Sequence, residues 1–221
     1  MHMILDCGPL SDTRQIKLEI PQDKSIALTL SGGADTALLA YLVCKELLDT
    51  GRRPEDYVKW TFTIPKRDGA ELFPPQILQW ISAQLNVTLP DMTLVRIPQL
   101  HSTWHGHQVW HSVLYMLDTY APDTLYMGDQ RTPPESANLD GPAPVRSKTL
   151  EGPLPGRVFF PFNHVNKTHT VDAFYKLGIE DLLTLTHSCT QSPTGRCNKC
   201  WHCNERAWAF GELGIADPGK L

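Results

Sequence analysis

Two groups of residues carry chemistry by their type and spacing. The first is Ser31-Gly32-Gly33-Ala34-Asp35-Thr36, which ends an apolar run, Ile26 to Leu30, and leads into an amphipathic segment from about Thr36 to Leu48. That order describes a strand, a tight turn and a helix start. A helix start presents unpaired N–H groups and a partial positive charge, which together hold phosphate. Two glycines let the backbone come close to an anion and adopt positive φ. Ser31 and Thr36 add hydroxyls, and Asp35 can cap the helix or help to hold a metal ion beside the phosphates. The plain alternative is a strand-to-helix turn with a Ser or Asp cap. No Gly-Lys-Ser/Thr follows the glycines, so the loop is not a Walker A motif.

The second group is Cys189, Cys197, Cys200 and Cys203, four of the six cysteines. Cys197-Asn198-Lys199-Cys200 and Cys200-Trp201-His202-Cys203 form two overlapping CxxC turns, with Cys189 ahead of them. Four thiolates at this spacing can wrap one Zn²⁺ tetrahedrally, leaving no open position for catalytic water. The expected role is structural, with binding energy that counts as folding energy for the segment. Lys199 and Arg206 stand where they would offset the charge of the site, and His202, between two cysteines, is expected to be exposed rather than to replace one of the ligands. Cys44 falls inside a helical pattern as a small core residue, and Cys7 as a thiol near a strand end.

Positioning these groups requires a regular framework, and the hydrophobic pattern supplies one. Ile4–Asp6 and Ile16–Ile20 alternate with period two and predict a strand pair. Strands follow at Ile26–Leu30, Tyr57–Ile64, Met92–Ile97 and Thr124–Met127, separated by helical patterns at Thr36–Thr50, Pro74–Gln84 and Trp110–Thr119. Strands alternating with helices predict an α/β fold, a doubly wound parallel sheet with helices on both faces. Ligands of such sheets bind at the carboxyl ends of strands near a switch point, where the Ser-Gly-Gly loop falls. Helices are expected again at Thr168–Leu177 and from about Asn204 to Leu213, with a short apolar stretch at Asp181–Leu185. Many of the 18 prolines fall between Pro133 and Pro161, which predicts an irregular connection. The division expected is a nucleotide-binding α/β domain over 1–160 with a helical, zinc-binding segment over 161–221 packed on it.

With 221 residues, 41% of them hydrophobic, the chain can bury a substantial core. A net charge of −4 provides no basic field for nucleic acid, and no apolar segment is long enough to span a membrane, so a soluble cytoplasmic protein is expected.

The first group resembles the SGGxDS signature of the PP-loop ATP pyrophosphatases, with Thr36 in the usual Ser position. The segments Leu185–Gln191 and Gly195–Arg206, then Ala209-Phe210, Gly214-Ile215 and Asp217-Pro218, look like the C-terminus of the 7-cyano-7-deazaguanine synthases. Thr61-Phe62-Thr63 and Pro161–Lys167 are similar to further motifs of that family, and the match runs from about residue 24 to 218. The acceptor region departs from the pattern: the chain reads Trp104-His105-Gly106-His107-Gln108 and Gly128–Glu135 where the family has other residues. The mixture fits a divergent member, of the kind phages and defence systems encode.

The resemblance implies an adenine nucleotide alpha-hydrolase-like fold and an ATP-dependent ligase of queuosine-type chemistry. Its reaction turns 7-carboxy-7-deazaguanine and ammonia into the nitrile, or its amide, through an adenylated intermediate. Ser31, Gly32, Gly33, Asp35 and Thr36 would cradle pyrophosphate, with Mg²⁺ bridging phosphate oxygens. Asp35 and Lys167 are the candidate catalytic residues, Lys167 supplying charge at the α-phosphate or else standing solvated at a helix start. His107, Gln108, Arg131 and Glu135 are candidates for the acceptor. The crowded His101, His105, His107 and His111 form either a pocket edge or a second metal site, and Trp104 and Trp110 either stack on a base or pack in the core. Members of the family are commonly homodimers. Two other readings use the same residues: an adenylating enzyme or amide-forming ligase with another acceptor, and a non-catalytic zinc-containing binding module.

Overall fold

A computed structural model describes residues 3–65, 69–96, 105–140 and 156–219, the side chains of residue 70 and residues 105–109 excepted. The elements are β1 (Met3–Cys7), β2 (Arg14–Leu18), β3 (Ile26–Thr29), α1 (Ala34–Asp49), α2 (Pro54–Tyr57), β4 (Val58–Thr63), α3 (Pro74–Leu85), β5 (Met92–Leu94), α4 (His105–Tyr120), β6 (Thr124–Tyr126), β7 (Val158–Phe159), α5 (Lys167–Lys176), α6 (Asp181–Thr184) and α7 (Trp201–Leu213).

Ile26, Ala27 and Leu28 are buried on both faces of β3, so the strand sits in the middle of the sheet. The five strands run in the order β5-β4-β3-β6-β7 and every pairing is parallel. Side-chain alternation divides the interior in two. Ile26 and Leu28 point into the larger core with Leu38 and Leu42 of α1, Ile77 and Ile81 of α3, and Phe174 of α5. Ala27, with Phe62 and Leu125, points into a smaller core closed by Val113, Met116 and Leu117 of α4. Helices on both faces of a parallel sheet make the doubly wound arrangement that the sequence predicts.

The order of strand addition reverses at β3: β4 and β5 lie on one side of it, β6 and β7 on the other. The switch point therefore falls between β3 and β6, beside the Ser-Gly-Gly loop. The larger core also takes in Phe162, Val165, Val171, Leu182 and Phe210, so α5, α6 and α7 share one interior with α1 and α3.

Several boundaries differ from the sequence pattern. Helix α1 begins at Ala34 rather than Thr36, because Gly33 takes the N-cap position and draws Asp35 into the first turn. The strand expected from Tyr57 starts at Val58, since Pro54 nucleates a helical turn that Tyr57 completes. The proline-rich connection hides β7, two residues long and too short to show periodicity. Trp110 packs against the smaller core, the core outcome for that residue, whereas Trp104 lies outside the described residues.

Strands β1 and β2 pair antiparallel as expected, in a separate sheet. Side-chain hydrogen bonds fasten them to the chain before and within α5. Gly8 N donates to Asp172 Oδ2 (2.7 Å), Lys176 Nζ to Asp6 O (2.8 Å) and Arg14 Nη1 to His164 O (2.7 Å), and His169 Nε2 lies 2.8 Å from Asp12 O. Cys7 and Cys44 are buried, and burial pushes each thiol up to about 12, so they behave as apolar packing residues. No helix among the described residues is long and apolar enough to cross a membrane.

Candidate functional site

Gly32 takes φ 80°, a conformation open to glycine, and turns the chain from β3 into α1. No side chain caps α1 at its N-cap Gly33, so its first N–H groups face the loop without the side-chain acceptor a capped helix provides. The hydroxyls hold the loop rather than the helix end. Thr36 Oγ1 accepts from Ser31 N (3.1 Å), donates to Gly33 O (3.2 Å) and lies 3.2 Å from Ser31 Oγ. Ser31 Oγ in turn receives Gly33 N at 3.4 Å. Threonine in place of serine thus keeps the hydroxyl and buries a methyl. That methyl has a neighbour: a Cβ on Gly128, just beyond β6, would lie 2.9 Å from Thr36 Cγ2 and 3.0 Å from Thr36 N. Glycine at 128 lets β6 close on the loop.

Asp35 does not cap the helix. Its Oδ2 is paired with Lys167 Nζ, and its Oδ1 accepts from Thr170 Oγ1 (3.1 Å). Oriented to satisfy both neighbours, the Gln130 amide donates to Asp35 Oδ1 (3.0 Å) and accepts from Lys167 Nζ (3.1 Å). Lys167 is 5% exposed, which corrects the solvated helix-start reading. It is the first residue of α5, whose N-cap Asn166 accepts from Thr168 N (3.0 Å) in a capping box completed by His169. Removing one partner of such a buried pair costs about 3–5 kcal/mol, because the other charge is stranded. Each Asp35 oxygen already accepts a hydrogen bond. Lys167, Thr170 and Gln130 together engage three of the roughly four lone-pair sites of the carboxylate.

One residue beyond Gln130 and one before Lys167, the chain lines a cleft of about 240 Å³. Its walls are Arg131 to Glu135 and Asn166, with Asp12 and Arg14 from the β1–β2 hairpin. Two of the acceptor candidates, Arg131 and Glu135, are therefore neighbours in one cleft. Arg14 grips Asp12 with two nitrogens (2.8 and 3.1 Å), and this holds the Asp12 carboxyl below its ordinary range. The side chains of His107 and Gln108 lie outside the described residues, as do His101 and the side chain of His105; His111 is exposed on α4.

Cys189, Cys197, Cys200 and Cys203 come together with all four Sγ atoms within 4.8 Å of one another. Zinc–sulfur bonds of about 2.3 Å place tetrahedral thiolates about 3.8 Å apart, and Cys197 Sγ lies 4.0 Å from Cys203 Sγ. A four-iron cube would spread its thiolates further. Backbone N–H groups already solvate the sulfurs: Cys200 N donates to Cys197 Sγ (3.3 Å) and Gln191 N to Cys189 Sγ (3.4 Å). Burial pushes Cys203 up to about 12. Cys200 is buried too, yet donors from Thr190 and Cys203 bring it down to about 6. As N-cap of α7, it also meets the positive end of a helix. The residues present fit one tetrahedral, thiophilic ion.

Arg206 is placed differently from expectation. It is buried, donates to Asp217 through Nε (2.7 Å) and Nη2 (2.9 Å), and reaches Thr186 Oγ1 (2.8 Å) and Leu183 O (3.2 Å). It fastens α7 to the chain on either side of the cysteines instead of neutralising them.

The sequence reading missed Gly128, Gln130, Thr170 and His187. His187 N donates to Gly32 O at 2.8 Å. Gly128 and Gln130 followed a predicted strand at the switch point, and that position was the available signal. Nothing local marked Thr170 or His187.

No protein-family model matches the chain, and no curated protein does. Solved structures with related chain paths include an NH3-dependent NAD synthetase from Campylobacter jejuni (17% identity over 73% of this chain and 68% of that one, TM-score 0.41). Others are the NMN synthetase from Francisella tularensis (12%, 87% and 78%, 0.43) and the U34-tRNA thiolase from Methanococcus maripaludis (11%, 86% and 65%, 0.43). Likenesses this distant bear on neither activity nor ligands.

Proposed function

We propose that the chain is an ATP-dependent, adenylate-transferring ligase that acts on a deazapurine carboxylic acid, 7-carboxy-7-deazaguanine, with ammonia as nitrogen donor. The observation that carries this reading is the helix end after Gly32. It has no side-chain cap, lies at the switch point of a doubly wound sheet, and has a buried ammonium, Lys167, paired to its first turn. In this reading such an end receives a polyphosphate tail, and Lys167 supplies charge at the α-phosphorus.

A carboxylate is a poor acyl donor because oxide is a poor leaving group. In the first step an acceptor carboxylate oxygen bonds to the α-phosphorus of ATP and pyrophosphate departs, giving an acyl-adenylate. Ammonia then adds at the acyl carbon, loses a proton and expels AMP, leaving the amide. A second adenylation, on the amide oxygen, followed by loss of AMP and two protons, gives the nitrile. The protein's part is positioning and charge stabilisation. The N–H groups of α1 receive the departing pyrophosphate, Gln130 and Thr170 orient Asp35, and Asp35 holds Lys167. Arg131 and Glu135 are the proposed acceptor contacts, a guanidinium for the acid and a carboxylate for the guanine-like N–H edge. His107 and Gln108 complete the proposed set. Mg²⁺ would arrive on the nucleotide's own phosphates.

In the same reading Cys189, Cys197, Cys200 and Cys203 hold Zn²⁺, which supplies a cross-link and no catalytic step. Pyrophosphate release from ATP, measured with 7-carboxy-7-deazaguanine and ammonia, tests the proposal, and product mass separates acid, amide and nitrile. Acid-dependent release with amide or nitrile formation is the expected result. A protein that neither binds ATP nor releases pyrophosphate with any deazapurine acid rules the reading out.

A further inference from the structure

We propose that His187 is a positioning residue that passes occupancy of the four-cysteine centre to the phosphate loop, an inference that rests on reading residues 31–36 as that loop. His187 makes three contacts, each to a different part of the molecule. Its backbone N–H donates to Gly32 O at 2.8 Å, at the residue whose positive φ shapes the turn. Its ring stacks on Phe73, the N-cap of α3, with centroids 4.4 Å apart and planes at 7°. Its Nε2 lies 2.8 Å from Ser192 O; a carbonyl only accepts, so Nε2 carries the proton and donates.

Ser192 lies between the first two cysteines, and Cys189 is two residues beyond His187. Residues 186–200 form no helix or strand. Among the described residues, no backbone–backbone hydrogen bond joins any of residues 188–199 to the rest of the chain. Arg206, bonded to Thr186 and Ser188, secures the beginning of this stretch, and Arg196, paired with Asp217 at 2.6 Å, secures a point near its end. Between these two points, where Ser192 lies, the stretch depends chiefly on the thiols and whatever they hold. A bound metal would fix Cys189 and Ser192, these would fix the His187 ring against Phe73, and the ring would keep its N–H on Gly32. Without metal that chain of constraints goes slack at its far end, and the loop loses a tether that no side-chain hydrogen bond among the described residues replaces.

Hydrogen exchange and ATP titration test this on the whole protein, zinc-loaded and after stripping with a chelator. Stripping is expected to speed exchange of the His187 amide and to raise the Kd for ATP about fivefold to tenfold, the scale of one lost buried hydrogen bond. His187→Ala keeps its metal but loses the ring. It is expected to raise the KM for ATP about fivefold with kcat within about twofold, and stripping its metal should add little. His187→Phe, which keeps the stack, restores most of the affinity. Unchanged His187 exchange on stripping overturns the proposal. So does an equal loss of ATP affinity on stripping in wild type and His187→Ala. If the loaded protein binds no ATP while stripping still frees the His187 amide, the tether stands and the nucleotide reading falls.

Discussion

The Ser-Gly-Gly loop and the cysteine cluster meet at His187, yet they are built by opposite means. The four thiols come from fifteen consecutive positions, and their spacing alone dictates what they can hold. The loop draws on four stretches of chain: residues 31–36, 128–130, 167–170 and His187, brought together by the sheet and by two helix starts. A metal site can be local because the ion supplies the cohesion. A polyphosphate site must exist before its ligand arrives, so the fold has to supply the cohesion through buried polar contacts.

That contrast predicts different failures when each region is cut. The largest effect is expected at the loop. Lys167→Met should lower the rate of pyrophosphate release about 10²–10³-fold, the scale of losing one charge-stabilising group. It should also destabilise the protein by stranding Asp35. Combining it with Asp35→Asn should recover part of the melting temperature and none of the rate. Full activity in Lys167→Met would reduce the pair to a structural element.

Next in size is removal of the thiolate ligand set by Cys200→Ser, or of metal by a chelator. A loss of roughly 3 kcal/mol would lower Tm by about 10 °C. A Tm unchanged by either treatment would mean that the cluster is held without an ion. Smaller again is Gly128→Ala. Its new methyl meets Thr36 at both Cγ2 and N, and overpacking of this kind costs about 1–3 kcal/mol. The KM for ATP should rise as well, and an unaffected KM would detach Gly128 from the site.

The smallest effect is one of pH. Burial opposes the Asp217 carboxylate, but Arg206 and Arg196 outweigh it and hold its pKa below the ordinary 3.8. A depressed folded-state value gives stability that is present above about pH 3.8 and lost as pH falls through the lower, folded value. Denaturant titrations across this window should show wild type losing stability more steeply than Asp217→Asn. Equal slopes would remove Asp217 from the account of how the cysteine segment is anchored.

What the sequence disclosed follows from the same contrast. The parallel sheet was legible because Ile26–Leu30 and its successors carry strong local patterns, and the cysteine site because its ligands are close in sequence. Glycine's freedom marked the turn at Gly32, although the helix start was placed two residues late, since Gly33 rather than Asp35 occupies the cap. Lys167 could be nominated, but its burial against Asp35 could not be seen, because the two are 132 residues apart and neither flanking sequence mentions the other. Arg206 misled for a related reason. Its place about one turn past Cys203 suggested charge balance, whereas the partner that decides its role, Asp217, lies past the end of α7.

The β1–β2 hairpin carries a consequence for how the molecule comes into being. Its fastenings, Asp172, Lys176, His164 and His169, stand 150 to 170 positions later in the chain. On the ribosome the hairpin is therefore synthesised long before these fastenings, with α1 the first element to reach β2. A two-stranded ribbon is marginal alone, and its unpaired edges are exposed to other nascent chains until α5 emerges. Late-acquired contacts of this separation slow the final step of folding. Destabilising α5 should thus reveal itself first in the yield of soluble protein from cells, ahead of any change in the purified material.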